Sequence, residues 1–294
     1  MPVVQMNAEQ GITPTLIHAA RKLPKGAPIL VMMHGYRYSP SIPAHDPHRH
    51  ILSPLPVPHT TSWPAALGFG AERDEGLAIT FGWEARGTLR AAYGRAEQAG
   101  QVLADALTEL AHQSDRQIGL IGHSLGGRVA LQAMRKAAAG SLGRVILLNA
   151  AEFRDTAETA LMSPAGQQAE VINVTAREND LFDFALESLL ACGRRRALGL
   201  GLESRRANWV DLQIDDAATL DALADLGFPT ERGARRLSHW TPYLRGGLFD
   251  FYRAALCHPW ALPLGLLRHH LPVRHDARWS RLLARPATLG AMRA

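Results

Sequence analysis

Apolar residues in this chain fall into short unbroken runs separated by longer segments with a helical period. Residues 28–33 (Pro-Ile-Leu-Val-Met-Met) and 76–83 (Gly-Leu-Ala-Ile-Thr-Phe-Gly-Trp) have the length and continuity of strands buried on both faces. Residues 117–122, 144–150, 170–176 and 209–214 read the same way. In residues 88–112, Ala99, Val102, Leu103, Ala106, Leu107 and Leu110 recur three or four positions apart, which predicts an amphipathic helix. Residues 125–139 and 180–191 also read as helices. Strands alternating with helices predict an α/β protein, a mostly parallel central sheet flanked by helices in a three-layer sandwich.

Two segments break the rhythm. Residues 38–64 carry seven prolines, four histidines and no helical period, and are expected to form an ordered loop or cap. Beyond Phe251 the pattern is helical but interrupted by Pro259, Pro263, Pro272 and Pro286. Residues 1–251 are therefore read as the main domain, and 252–294 as a tail that packs on it.

Composition adds constraints. A 294-residue chain with 47% hydrophobic and 20% charged residues can bury a large core without disulfide or metal. Cys192 and Cys257 stand in unrelated contexts with no metal-ligand spacing. With no basic-then-apolar leader and no run of ~18 apolar residues, these thiols predict a cytoplasmic protein without a metal centre. The net charge of +5 is modest, but arginines crowd residues 194–206 and recur at 268, 274, 278, 281, 285 and 293. Aromatics are not interleaved with them, which argues against nucleic acid. The basic tail is left as a candidate for weak contact with a membrane or other anionic surface.

The chemistry lies in Gly122-His123-Ser124-Leu125-Gly126. This Gly-x-Ser-x-Gly directly follows a predicted strand and directly precedes a predicted helix. That is the context in which a serine sits on a sharp turn with its Oγ above the sheet. The Leu125 amide then lies at a helix N-terminus, where unpaired N–H groups stabilise an oxyanion.

Together with Val31-Met32-Met33-His34-Gly35, this motif resembles the α/β-hydrolase superfamily; Phe81-Gly82-Trp83 and the Ala-rich helix after it resemble a poorly characterised bacterial, esterase-like branch. The resemblance runs from about residue 28 to 240. It implies a second oxyanion donor after His34-Gly35, the amide of Tyr36 or else Arg37, and a chain order of nucleophile, acid, then base. Asp180, just past the strand at 170–176, is the expected acid, with Asp183, Glu152 and Asp155 as alternatives. His239, after the last strand and a connecting helix, is the expected base. His34 and His123 are read as structural.

The resulting expectation is a serine hydrolase that cleaves a small-molecule carboxylic ester or thioester through an acyl-enzyme on Ser124, with no cofactor. Acyltransferase or amidase chemistry on the same residues, and a catalytically silent binding protein, are the alternatives.

Overall fold

The computed structural model describes residues 2–70, 76–233, 235–272 and 276–283. Seven strands, β1 (Val3–Asn7), β2 (Ile29–Met33), β3 (Leu77–Gly82), β4 (Ile118–His123), β5 (Leu142–Leu148), β6 (Glu170–Thr175) and β7 (Trp209–Gln213), form one sheet. Its order is β1-β3-β2-β4-β5-β6-β7, and every pairing is parallel. The helices are α1 (Pro14–Arg21), α2 (Trp63–Ala66), α3 (Leu89–Ser114), α4 (Leu125–Lys136), α5 (Arg154–Leu161) and α6 (Asp180–Ala191). They continue with α7 (Ala217–Asp225), α8 (Thr241–Leu244), α9 (Leu248–Cys257), α10 (Leu264–His270) and α11 (Ser280–Leu283).

Continuous apolar strands have a purpose here, because both sheet faces are covered. Ile29, Val31 and Met33 of β2 join the core beneath α1, α3 and α4, whereas Leu30 and Met32 join the opposite core beneath α9. Val145 and Leu147 of β5 point to the first core, Ile146 and Leu148 to the second. The period of two thus splits each run between two cores and gives the three-layer sandwich.

β1 and α1 are additions to the sequence reading. β1 pairs with β3 at the sheet edge, and its residues are mostly half-buried, so its apolar signal is weak. Residues 38–64 form an ordered loop. His48 is hydrogen-bonded to Asn7 Oδ1 (2.8 Å) and Thr80 Oγ1 (3.1 Å), while Trp63 is fully buried beside Tyr243 and Phe249.

The expected boundary after Phe251 falls inside α9, whose Phe251, Tyr252 and Ala255 belong to the second core. Farther on, α10 packs against β7, and Arg281 binds Asp215. Arg274, Arg285, Arg293, His275 and Pro286 lie outside the described residues. Among the described residues, no helix is long and apolar enough to cross a membrane.

The central strands end together: Met33 lies opposite Gly122, His123 opposite Leu148, and Leu148 opposite Val174. The chain runs from β2 outward to β3, then returns and builds outward on the other side from β4. The strand order therefore reverses between β2 and β4, and a parallel sheet takes its ligands at such a point.

Candidate active site

Ser124 stands at that reversal, between β4 and α4, with φ 56° and ψ −122°. A non-glycine residue held there stores strain of order 1–3 kcal/mol and persists only when its surroundings over-determine it. Three hydrogen bonds do so. The Ser124 amide donates to Leu148 O (3.0 Å), and its carbonyl accepts from Gly127 N (3.0 Å) and Ala151 N (2.9 Å). The glycines of the motif permit close approach. A Cβ on Gly126 would lie 2.5 Å from Met33 O, and one on Gly35 would lie 2.9 Å from Ser124 Cβ.

The two expected oxyanion donors lie beside this turn. Leu125 is the first residue of α4, and Tyr36 follows Gly35. Neither amide donates to a protein acceptor among the described residues, whereas Arg37 N is committed to Ala85 O (3.0 Å). His34 is structural: it stacks on Trp83 (5.4 Å, 8°), and its Nε2 accepts from the Trp83 amide (3.1 Å).

His239 comes to the elbow on the loop before α8. Its carbonyl accepts from His123 Nε2 (3.0 Å) and Asn149 Nδ2 (3.2 Å), side chains at the tips of β4 and β5. Its ring lies 4.5 Å from the His123 ring and stacks on Phe182 (4.6 Å, 25°). His123 is thus a buried prop for the His239 loop.

The partner of His239 Nδ1 is Asn179 Oδ1, at 2.6 Å. Asp180 is turned away. Its Oδ2 accepts from the Trp279 amide (2.6 Å), and its Oδ1 lies 3.2 Å from Arg177 Nη1. The reason is helical geometry: Asp180 opens α6 on its inward face with Asp183 and Glu187, where Arg177 pairs with Asp180, and Arg196 and Arg278 pair with Glu187. Asp183 reaches the site indirectly, accepting from Asn179 Nδ2 at 3.1 Å. Glu152 is fully buried and paired with Arg128, and Asp155 binds Arg195 at the surface. Neither contacts His239.

Sequence reasoning passed over Asn179 because a search for an acid does not examine amides. It also missed Glu178, which organises the His239 loop. Fully buried, Glu178 accepts from Arg235 N (2.6 Å) and Thr241 Oγ1, and it pairs with Arg245 (3.4 Å). Its own carbonyl accepts from Ser238 N (2.9 Å). These contacts bracket His239 on both sides.

A family model described as "Protein of unknown function (DUF726)" matches residues 87–190, a span that holds Ser124, Asn179 and Asp183 but not His239. No curated protein matches the chain. Among solved structures, the mature lipase BlEst2 of Bacillus licheniformis is 13% identical, with a TM-score of 0.34, covering 65% of this chain and 84% of its own. Aspergillus fumigatus lipase B is 14% identical, with a TM-score of 0.41, covering 89% of this chain. The match takes in 63% of that lipase's own length. The deciding observation is internal: an all-parallel sheet whose order reverses beside a serine at positive φ, between strand and helix. The chain has the α/β-hydrolase fold.

Within this α/β-hydrolase fold the buried imidazoles are all pushed toward neutrality. Burial lowers His34 to about 3 and His123 to about 4, and it lowers His239 well below the ordinary range, helped by His123. In the unfolded chain each would protonate near pH ~6.5. Their contribution to stability is therefore complete above that pH and is lost as the pH falls toward the folded values. Asp183 opposes them, because burial raises its carboxyl to about 7, and Asp180 is raised as well. The three imidazoles, joined by His48, outnumber these two acids. The unfolding free energy from urea titrations should fall on acidification from about pH 7 to about pH 5, by about 1.4 kcal/mol per pH unit for each net proton, and the urea midpoint should fall with it. A midpoint that rises over that interval would contradict the neutral imidazoles.

Proposed function

We propose that the protein is a serine hydrolase that transfers an acyl group from a carboxylic ester or thioester to Ser124 and then to water. The observation that carries this reading is the strained, over-determined backbone of Ser124 at the strand–helix junction. His239 Nε2 takes the Ser124 hydroxyl proton as Oγ attacks the carbonyl. The Leu125 and Tyr36 amides receive the oxyanion, and the imidazolium then protonates the leaving group. Water activated by the same imidazole releases the acid. Phe182, stacked on the His239 ring, and the exposed Trp240 against it favour an apolar acyl or alkyl group.

One observation favours a second reading. Asn179 is neutral, so the imidazolium has no carboxylate in direct contact, and a catalytically silent member of the fold would tolerate this. Labelling with a fluorophosphonate probe separates the two readings, because it requires an activated serine. The expected result is one adduct, mapped to Ser124 by peptide mass spectrometry, together with turnover in a panel of esters and thioesters of graded chain length. Absence of that adduct from folded protein overturns the hydrolase reading.

A further inference from the structure

We propose that Asp183 is a positioning residue that fixes the orientation of the Asn179 amide and, through it, the tautomer of His239. This rests on the reading of Ser124 and His239 as nucleophile and base. The chain of contacts is His239 Nδ1 to Asn179 Oδ1 (2.6 Å) and Asn179 Nδ2 to Asp183 Oδ1 (3.1 Å). Asn179 and Asp183 are both buried, so solvent does not substitute for either contact.

The logic follows from donor and acceptor identity. An amide presents an acceptor on one side and a donor on the other, and the two are nearly isosteric. A neutral imidazole is equally ambivalent. Alone, the Asn179–His239 pair has two arrangements, one with the proton on Nδ1 and the other with it on Nε2. A carboxylate only accepts. Asp183 therefore draws the Asn179 NH2 to itself and leaves Oδ1 for His239. That oxygen can only accept, so Nδ1 carries the proton and Nε2 is left bare as a base. The opposite arrangement puts a proton on Nε2, and the base is lost.

The surroundings of Asp183 suit this task. Gly199 leaves room for the carboxyl, since a Cβ there would lie 1.8 Å from Asp183 Oδ2. Oδ2 has no hydrogen-bond partner among the described residues. The charges that face the group are Arg177 and Arg278, which favour ionisation, and Asp180 and Glu187, which oppose it. A proton taken up on the unpartnered Oδ2 leaves Oδ1 an acceptor, so the orientation holds in both ionisation states. The arrangement also explains an amide at 179: a carboxylate there would stand against that of Asp183, and one of the two would have to hold a proton.

The test uses Asp183→Asn, which keeps the shape but can present either a donor or an acceptor to Asn179. Nitrogen-15 NMR of the imidazole reads the His239 tautomer directly. The wild-type protein should show Nδ1–H. Asp183→Asn should show mixed or Nε2–H tautomers, with fluorophosphonate labelling slowed about tenfold or more. Asn179→Asp added to Asp183→Asn should restore Nδ1–H and the labelling rate, which a merely structural role would not do. An unchanged Nδ1–H tautomer in Asp183→Asn overturns the proposal. If the wild-type serine is not labelled at all, the hydrolase reading fails, and the tautomer measurement still decides the role of Asp183.

Discussion

Ser124→Ala will lower ester turnover by about 10⁴- to 10⁶-fold, the range in which removing a nucleophile leaves only oxyanion stabilisation and binding. The loss should appear in the rate constant with the fold intact, because the turn is held by backbone hydrogen bonds to Leu148, Gly127 and Ala151 that alanine retains. Alanine keeps the strain as well, since its Cβ meets the same restriction at φ 56°. Ser124→Gly separates the two consequences. It should lose the same activity but gain about 1 kcal/mol in urea unfolding, as the positive φ ceases to cost anything. Turnover that survives in either variant would place the nucleophile elsewhere. Equal stability of the two variants would show that the elbow is not strained.

Glu178→Ala should be the most damaging substitution for stability, at about 3–5 kcal/mol, because it leaves the buried Arg245 guanidinium without its carboxylate. Arg245 still donates to the carbonyls of Gly233 and Glu231, but the charge itself is uncompensated. The same change frees the Arg235 amide and the Thr241 hydroxyl, so the loop that carries His239 loses its anchor on both sides. Fluorophosphonate labelling should slow in parallel with the fall in urea midpoint. Glu178→Gln keeps one acceptor oxygen, enough for the Arg235 amide, and its NH2 can donate to the Thr241 hydroxyl oxygen, so it should cost less than Glu178→Ala. A Glu178→Ala protein with wild-type midpoint and labelling rate would remove Glu178 from this role.

The layers of the fold were legible because β2, β4, β5 and β6 are buried on both faces, and such strands cannot disguise their apolar runs. The elbow was legible for a different reason, since close packing demands glycine at fixed offsets from Ser124. The partner of His239 was not. Along α6 the usual polarity is reversed: Asp180, Asp183 and Glu187 are buried, whereas Leu181, Phe184 and Leu189 are exposed. Carboxylates after a strand read as surface or catalytic groups until their counter-ions are located. Those counter-ions are Arg177, in the turn before the helix, together with Arg196 and Arg278 from elsewhere in the chain. No local spacing reveals that arrangement, and the residue facing His239 is the amide one position earlier.

Some partners of the buried acids lie far along the chain. Trp279 meets Asp180 across 99 residues, Arg278 meets Glu187 across 91, and Arg281 meets Asp215 across 66. The backbone bonds of Ser124, by contrast, go to Leu148, Gly127 and Ala151, at most 27 residues away. Closing long loops costs entropy before any contact repays it, so distant pairs form late. The acids beside Asn179 are therefore expected to gain their last partners after the Ser124 turn has closed. A nascent chain halted before Arg278 would lack the Trp279 amide on Asp180 and the Arg278 guanidinium on Glu187.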